Sequence, residues 1–308
     1  MKPSQIALIG AGLAGLGVAV ALERRTKPPL DPFVFEDGVA LLTGAASGIG
    51  RALAEGLAAK GVHLALVDRN AKGLEEVAAL SRQHGIKVST YVLDLSRHED
   101  IETLVNDVLR EHGRLTLLVN NAGVALGGRF EEVNLEEFEW LMDINFRAVV
   151  ALTKACLPHL LRVKGGHLVN LSSVFGIIAP EGQAAYSSSK FAVRGFSEVL
   201  RHELRGRLGV SVVHPGGVKT NIALGARIAA KVDPVIARRE MERFSESFRT
   251  SPEEAAEVIL RAVQRRQDRV LIGADARLID VTQRLLPVSY WRVLRGAFER
   301  DTGRTNAT

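Results

Sequence analysis

Tyr186 and Lys190 stand four residues apart in a stretch with helical spacing of apolar residues, so their side chains share one helix face. Oxidation of an alcohol removes the hydroxyl proton while hydride leaves the same carbon, and reduction of a carbonyl reverses both transfers. A phenol has an ordinary pKa of about 10, too high for a base at neutral pH, but a neighbouring ammonium favours the phenolate. The pair could therefore accept the hydroxyl proton of an alcohol or return it to a carbonyl oxygen. Because this spacing arises readily by chance, an exposed Tyr-Lys pair without function is the alternative.

A glycine-rich turn at residues 43–50, Thr-Gly-Ala-Ala-Ser-Gly-Ile-Gly, follows an apolar run and precedes a helical pattern. Glycines allow a tight turn that brings backbone N–H groups against a pyrophosphate at a helix N-terminus. Asp68 ends the next apolar run, 18 residues past Gly50, where its carboxylate could accept hydrogen bonds from ribose hydroxyls. A plain strand-to-helix turn is the alternative, which Asp68 disfavours.

Short apolar runs alternate with longer amphipathic stretches from Val39 onward. The predicted strands are Val39–Thr43, His63–Val67, Lys87–Leu93, Leu115–Asn120, Gly166–Ser172, Val210–His214 and Arg269–Ile272. The predicted helices include Arg51–Lys60, Leu74–His84, Ile101–His112, Leu135–Val163 and Ala184–Arg205. This alternation predicts an α/β fold with a doubly wound parallel sheet of about seven strands in a single main domain. In such sheets the ligand lies at the carboxyl ends of the strands.

Five motifs, in this order, resemble those of the short-chain dehydrogenase/reductase family over residues 38–275. They are the glycine-rich turn at 43–50, Asn-Asn-Ala-Gly at 120–123, Ser-Ser at 172–173, Tyr-x-x-x-Lys at 186–190 and Pro-Gly-x-Val-x-Thr at 215–220. The resemblance implies a Rossmann fold and an NAD(P)-dependent oxidoreductase that interconverts a secondary alcohol and a ketone or aldehyde by hydride transfer. A non-catalytic Rossmann module that senses a dinucleotide is the alternative function.

The resemblance also implies a catalytic role for four residues. Tyr186 is expected to exchange a proton with the substrate oxygen, and Lys190 to lower the Tyr186 pKa together with a cationic nicotinamide. Ser173, 13 residues before Tyr186, is expected to hydrogen-bond the substrate oxygen. Asn145 is expected to position a water that links Lys190 to solvent, with a structural amide as the alternative.

The cofactor-binding residues implied by the resemblance come from four of the five motifs and from the strand ends. They are Gly44, Ser47, Gly48, Ile49, Gly50, Asp68, Arg69, Asp94, Asn120, Gly123, Lys190, Pro215, Gly216, Val218 and Thr220. For Asp94 a helix N-cap is the alternative, and for Asn120 and Gly123 a role in stabilising the turn. His214 is expected to pack within its strand rather than to take part in catalysis.

The predicted cofactor is NAD in preference to NADP. Asp68 would repel a 2′-phosphate and accept hydrogen bonds from free ribose hydroxyls. Ser47 occupies a position where NADP-preferring relatives often carry a basic residue. Arg69, however, stands where such relatives often place a phosphate-binding arginine, so NADP stays open.

Residues 1–37 form a predicted appendage with a second glycine-rich turn, at Gly10, Gly12 and Gly15, and an acidic residue, Glu36, after the next apolar run. This pattern resembles the FAD-binding start of a flavin monooxygenase. Thirty-seven residues are too few to enclose a flavin, so we expect no bound FAD. A remnant packed on the main domain is the leading interpretation, with a membrane-contacting or targeting segment and a later translation start as alternatives.

Residues 276–308 form a predicted amphipathic tail, interrupted at Leu286-Pro287. We expect it to cover the core of the main domain at 38–275. The alternatives are a wall of the substrate mouth, an oligomer contact and a peripheral contact with a membrane.

Composition excludes several classes of protein. The chain has 308 residues, a formal charge of +5 and a single cysteine, Cys156, so it has no internal disulfide. The histidine spacing predicts no metal site, and the basic residues lack an aromatic platform for nucleic acid. We expect a cytoplasmic protein, with membrane association as an alternative. Its predicted partners are an apolar small-molecule alcohol or carbonyl compound and a second or further copies, in a homodimer or homotetramer.

Overall fold

A computed structural model describes residues 30–302, and the part from Pro32 onward belongs to one compact unit. Its strands are β1 (Val39–Thr43), β2 (His63–Asp68), β3 (Val88–Val92), β4 (Leu117–Asn120), β5 (Leu126–Gly127), β6 (His167–Leu171), β7 (Gly209–Pro215), β8 (Arg227–Ile228) and β9 (Arg269–Ile272). Seven of them form a parallel sheet in the order β3-β2-β1-β4-β6-β7-β9, and β5 pairs with β8. The predicted doubly wound parallel sheet is confirmed.

The helices cover both faces of this sheet. They are α1 (Gly48–Ala58), α2 (Ala71–Arg82), α3 (Ile101–His112), α4 (Leu135–Met142), α5 (Ala148–Arg162), α6 (Ala184–Glu203), α7 (Pro234–Glu246), α8 (Pro252–Gln264), α9 (Ala274–Leu285) and α10 (Tyr290–Thr302). The stretch predicted as one helix over Leu135–Val163 is continuous helical backbone, in which a π-helical turn at Asp143–Arg147 joins α4 to α5. Between residues 30 and 302, no helix has the length and apolar content needed to span a bilayer.

The central strands are buried on both faces, which explains their continuous apolar sequences. Ala40 and Leu42 of β1 pack with α1 and α8, whereas Val39 and Leu41 pack with α3 and α5 on the opposite face. Successive side chains of a strand point to opposite faces, so each helix layer receives every second residue. The sheet therefore holds the carboxyl ends of its strands in a row, where several of the predicted site residues lie.

Phe33 and Phe35, within the predicted appendage at 1–37, are buried in the core of the main unit. They are 4% and 7% exposed, and their ring centroids lie 5.0 Å apart. The Phe33 backbone N–H donates to the Gln264 carbonyl over 3.0 Å, and the Arg266 guanidinium lies 5.1 Å from the Phe33 ring. The flavoprotein-like turn at residues 10–15 lies outside the described residues.

We expect Phe33→Ala to lower the free energy of unfolding by about 3–5 kcal/mol, because it leaves a cavity against the core. The matched control is Val34→Ala at the next position, where the side chain is 73% exposed and the expected change is within about 0.5 kcal/mol. Urea unfolding of both variants measures the difference. Equal stabilities would show that Phe33 does not pack as described.

Two histidines lie fully buried in neighbouring strands, His167 in β6 and His214 in β7. Burial, and then the nearby Arg266, lower the pKa of His167 to about 3. Burial lowers the pKa of His214 to about 4, although Nδ1 lies 3.0 Å from the Ser173 carbonyl oxygen. Both rings therefore stay neutral at pH values where an exposed imidazole takes up a proton.

This difference predicts a loss of stability in acid. The unfolded chain protonates His214 below about pH 6.5, whereas the folded chain does so only near pH 4. The stability from the neutral ring is therefore present above pH 6.5 and disappears toward pH 4. Between pH 7 and 4.5, His214→Gln should lose about 2–3 kcal/mol less unfolding free energy than the wild type. Urea unfolding at both pH values measures this, and parallel losses in the two proteins would contradict it.

Candidate functional site

The turn between β1 and α1 has no room for side chains at its glycine positions. Gly44 and Gly48 have positive φ angles of 66° and 52°, which favour glycine. A Cβ on Gly50 would lie 2.0 Å from the Gly44 carbonyl oxygen, so Gly50 must be glycine for α1 to start here. Asn121, after β4, donates from its side chain to the carbonyls of Thr43 and Gly44 over 2.9 and 3.1 Å. The turn is thereby fixed to the end of β4.

The N-terminus of α1 opens into a cavity. Its N-cap Ser47 makes no side-chain capping hydrogen bond, and Ser47, Gly48 and Ile49 line the cavity. The first N–H groups of a helix have no partner within the helix and carry partial positive charge. An anionic group such as a pyrophosphate could bind here.

Asp68 lies at the end of β2 beside this turn. Its carboxylate accepts hydrogen bonds from the backbone N–H groups of Ala46, over 3.0 Å, and Asn70, over 2.9 Å. Asp68 and Arg69 both line the cavity. The carboxylate thus holds the turn in place while facing the space that a ribose would fill.

Asp94 also lines the cavity, after the end of β3. Its carboxylate accepts hydrogen bonds from the backbone N–H and hydroxyl of Ser96 over 2.9 and 2.8 Å. The Ser96 backbone bond is the largest of the causes that hold its pKa below the usual range. The alternative role as a helix N-cap is not observed, because the N-cap of α3 is Asp100.

Lys190 lies almost fully buried, 3% exposed, where α6 packs on the end of β6. Its ammonium donates to the Leu171 carbonyl over 3.1 Å, and the Ser172 hydroxyl donates to the Lys190 carbonyl over 2.8 Å. Burial lowers the pKa of Lys190 to about 8. These bonds bring α6 against the residues that follow β6.

Tyr186, one turn earlier on α6, is half-buried and lies at the cavity wall with Ser173. The neighbouring Ser173 hydroxyl lowers the Tyr186 pKa, but burial is the larger effect and raises it to about 12. Lys190 Nζ lies 5.6 Å from the centroid of the Tyr186 ring. The ammonium alone therefore does not bring the phenol pKa below its ordinary value.

Asn145 is fully buried in the π-helical turn and does not line the cavity. Its Oδ1 accepts from the Val124 N–H over 2.8 Å. Its Nδ2 donates to the Val124 carbonyl over 2.9 Å and to the Ser189 hydroxyl over 3.2 Å. A Cβ on Gly123 would lie 3.4 Å from both Asn145 Oδ1 and Lys190 Nζ, so both side chains lie next to Gly123.

Asn120 lies apart from the cavity, contrary to its expected place in the cofactor cleft. Its side chain donates to Asn170 Oδ1 over 2.8 Å and to the Thr153 hydroxyl over 3.2 Å, inside the core. Asn120 follows Leu118 by two positions in β4, and both side chains face α5. Its neighbour Asn121 lines the cavity instead. Strand alternation could have indicated this if the register of β4 had been known.

The cavity has a volume of about 660 Å³. It brings together most of the predicted residues, whereas Gly50, Asn120 and Asn145 lie behind its wall. The predicted residues along it are Gly44, Ser47, Gly48, Ile49, Asp68, Arg69, Asp94, Gly123, Ser173, Tyr186, Lys190, Pro215, Gly216, Val218 and Thr220.

Other lining residues lie outside the predicted set of catalytic and cofactor-binding residues. They include Asn121, Phe175, Met241, Phe244, Phe248, Asp275, Leu294 and Phe298. Asp275 accepts a hydrogen bond from the Gly217 N–H over 2.6 Å, and a Cβ on Gly216 would lie 2.1 Å from its carboxylate oxygen. α9 thereby holds the loop after β7. Leu294 and Phe298 of α10 match one alternative for the predicted tail, a wall of the substrate mouth.

Comparisons with known proteins agree with this geometry. The family described as short chain dehydrogenase matches residues 38–229. The protein named "Putative oxidoreductase SadH" from Mycobacterium tuberculosis is 40% identical over 268 residues, which cover 84% of this chain and 95% of that protein. A short-chain dehydrogenase/reductase from Burkholderia phymatum, solved in complex with NAD, superposes with a TM-score of 0.76 at 29% identity, covering 83% of this chain and 95% of that one.

A third similar protein is an alcohol dehydrogenase from Thermococcus sibiricus, solved with 5-hydroxy-NADP. It superposes with a TM-score of 0.65 at 28% identity and covers 76% of this chain and 95% of that one. The family match spans the glycine-rich turn, the end of β6 and the Tyr186–Lys190 segment. The chain belongs to the short-chain dehydrogenase/reductase family of oxidoreductases.

Proposed function

We propose that the protein interconverts a secondary alcohol and a ketone or aldehyde with NAD or NADP. Tyr186, Lys190, Ser173 and Asn145 form the proposed proton-transfer set. The observation that carries this proposal is that Ser173 and Tyr186 lie together on the cavity wall, with the buried Lys190 ammonium one turn along α6. A dinucleotide sensor would need neither hydroxyl. It would also have no need to bury an ammonium, because burial disfavours the charged form of Lys190.

The residues of the glycine-rich turn fit a dinucleotide. The turn packs so closely on the start of α1 that Gly50 has no space for a Cβ. No side chain caps the first turn of α1. We propose that Gly48 and Ile49 hold the pyrophosphate and that Asp68 holds the adenosine ribose. The bound NAD and 5-hydroxy-NADP of the two similar structures support this assignment.

Each member of the proposed set has a separate task. When bound, an oxidised nicotinamide supplies a hydride acceptor and a positive charge. Ser173 donates a hydrogen bond to the substrate oxygen, and Tyr186 takes its proton during oxidation or returns it during reduction. An alcohol thus loses one hydride and one proton and becomes a carbonyl. Burial raises the Tyr186 pKa to about 12, so the phenolate requires positive charge beyond that of Lys190.

In this proposal Lys190 and Asn145 do not contact the substrate and instead serve the proton transfer through Tyr186. A pKa of about 8 allows Lys190 to exchange a proton near neutral pH. The Asn145 side chain hydrogen-bonds the Val124 backbone and the hydroxyl of Ser189, the residue before Lys190. We propose that Asn145 positions the water that links Lys190 to solvent.

The remaining expectations stay predictions. The flavoprotein-like origin of residues 1–37, the homodimer or homotetramer and a peripheral membrane contact all extend beyond the site. Leu285 and Val288, at the junction of α9 and α10, are 74% and 94% exposed. The proposed reaction uses none of these features.

We expect Tyr186→Phe to lower kcat by about 10³-fold, because it removes only the hydroxyl that exchanges the proton. Affinity for the dinucleotide, measured by quenching of protein fluorescence, should change less than about twofold. Tyr290→Phe is the matched control. Its hydroxyl accepts from the Ala179 N–H over 3.1 Å and does not line the cavity. A variant at Tyr186 that keeps more than a tenth of wild-type kcat would refute the assignment.

We expect Asp68→Asn to raise kcat/KM for NADP relative to NAD by about tenfold or more, equivalent to about 1.4 kcal/mol. The substitution removes the charge that repels a 2′-phosphate and leaves Arg69 in place. Glu75→Gln, an exposed acid on α2 outside the cavity, controls for net charge. Steady-state rates with both dinucleotides measure the ratio. A wild-type protein that already prefers NADP would contradict the proposed role of Asp68.

A further inference from the structure

An aromatic surface continues the cavity wall from Tyr186. Phe175 follows Ser173 by two positions, and its ring centroid lies 6.0 Å from that of Tyr186 in an edge-to-face arrangement. On its other sides Phe175 meets Phe244 at 6.5 Å and Phe298 at 6.1 Å. The wall next to the proposed reacting oxygen is therefore made of phenyl rings.

Much of this wall comes from the chain after residue 229, where the family match ends. α7 contributes Met241 and Phe244, and α10 contributes Leu294 and Phe298. The rings of Phe175 and Phe244 are nearly parallel, at 23°, as are those of Phe244 and Phe298, at 28°. Side chains on α7 and α10 can therefore set the substrate preference of this particular chain.

The charge of the lining separates two regions of the cavity. Asp68, Arg69 and Asp94 lie at the ends of β2 and β3, on the proposed adenosine side. Asp275 accepts the Gly217 N–H beside the loop after β7. Among the described lining residues, the only remaining cation is the buried Lys190, beside Tyr186.

No described residue of the aromatic wall could therefore pair with a phosphate or carboxylate. An anionic substrate placed there would lose its hydration without gaining a partner, which is strongly unfavourable. A neutral apolar group loses little on entering and gains contact with the rings. The wall selects against charge and in favour of apolar area.

We propose that the substrate is a neutral secondary alcohol or ketone that carries a flat apolar ring next to the reacting carbon. The ring packs against Phe175, Phe244 and Phe298, and Leu294 and Phe298 make α10 the specificity-determining element. This inference rests on the proposed function of Tyr186 and its neighbours, and it adds the substrate class.

The test compares three alcohols with the full-length protein and each dinucleotide. They are 1-phenylethanol, neutral with a ring; 2-propanol, neutral without one; and 3-hydroxybutyrate, an anion. We expect kcat/KM for 1-phenylethanol to exceed that for either of the others by about 100-fold or more. Phe298→Ala and Leu294→Ala should each reduce this preference by about tenfold. Val293→Ala, next to Leu294 but 59% exposed and outside the cavity lining, should leave it unchanged.

A gain of function and a binding signal keep the test independent of damage to the fold. Met241→Lys supplies the missing cation and should raise kcat/KM for 3-hydroxybutyrate relative to 1-phenylethanol by about tenfold. Trp291 packs on Phe298, with ring centroids 5.4 Å apart. Acetophenone should therefore quench its fluorescence in the Tyr186→Phe variant, and Trp291→Phe should abolish that change.

The outcomes separate the substrate class from the reaction. Turnover of 2-propanol or 3-hydroxybutyrate within about threefold of 1-phenylethanol would overturn the substrate class and leave the proposed reaction standing. Quenching of Trp291 by acetophenone without turnover of any alcohol by the wild type would overturn the reaction and support the class of ligand. If acetophenone causes no quenching and the wild type turns over no alcohol, both the reaction and the substrate class are overturned.

Discussion

The buried ammonium of Lys190 is the constraint around which the site is built. Its hydrogen bond to the Leu171 carbonyl and the bond from Ser172 to the Lys190 backbone hold α6 against the end of β6. That contact helps to bring Tyr186, from α6, to Ser173, which follows β6. The same burial lowers the Lys190 pKa to about 8 and raises that of Tyr186 to about 12. At neutral pH these pKa values leave the Tyr186 phenol protonated and the Lys190 amine largely protonated.

The sheet supplies the second condition, because its parallel strands end along one edge. The glycine-rich turn after β1, Asp68 after β2 and Asn121 after β4 meet there, joined by hydrogen bonds between Asn121 and the turn and between Asp68 and Ala46. Below this edge, Asn120, Asn170 and Ser197 form a buried hydrogen-bonded row between the strands and helices. Satisfied polar groups in a core fix one arrangement of the surrounding elements. The cofactor side of the cavity is therefore rigidly attached to the fold.

The opposite side of the cavity is built differently. Much of its wall comes from α7 and α10, which follow the part of the chain matched by the family, and its contacts are between apolar and aromatic side chains. Such contacts lack the directionality of hydrogen bonds, so substitutions there can change the shape of the cavity without disturbing the turn or the Lys190 contact. A shared reaction and a particular substrate preference can thus be located in separate parts of one chain.

The sequence by itself determined the α/β class, the order of the strands along the chain, the glycine-rich turn and the positions of the proposed Ser173, Tyr186 and Lys190 set. These follow from periodicity and from short motifs, in which the interacting residues are close in sequence. Only the tertiary structure decided that Asn121 rather than Asn120 lines the cavity, because the register of β4 sets which side chain faces α5. It also decided the direction of the Tyr186 pKa and the packing of Phe175 against Phe298. Burial and contacts between segments more than 100 residues apart depend on how the whole chain packs, which no local pattern contains.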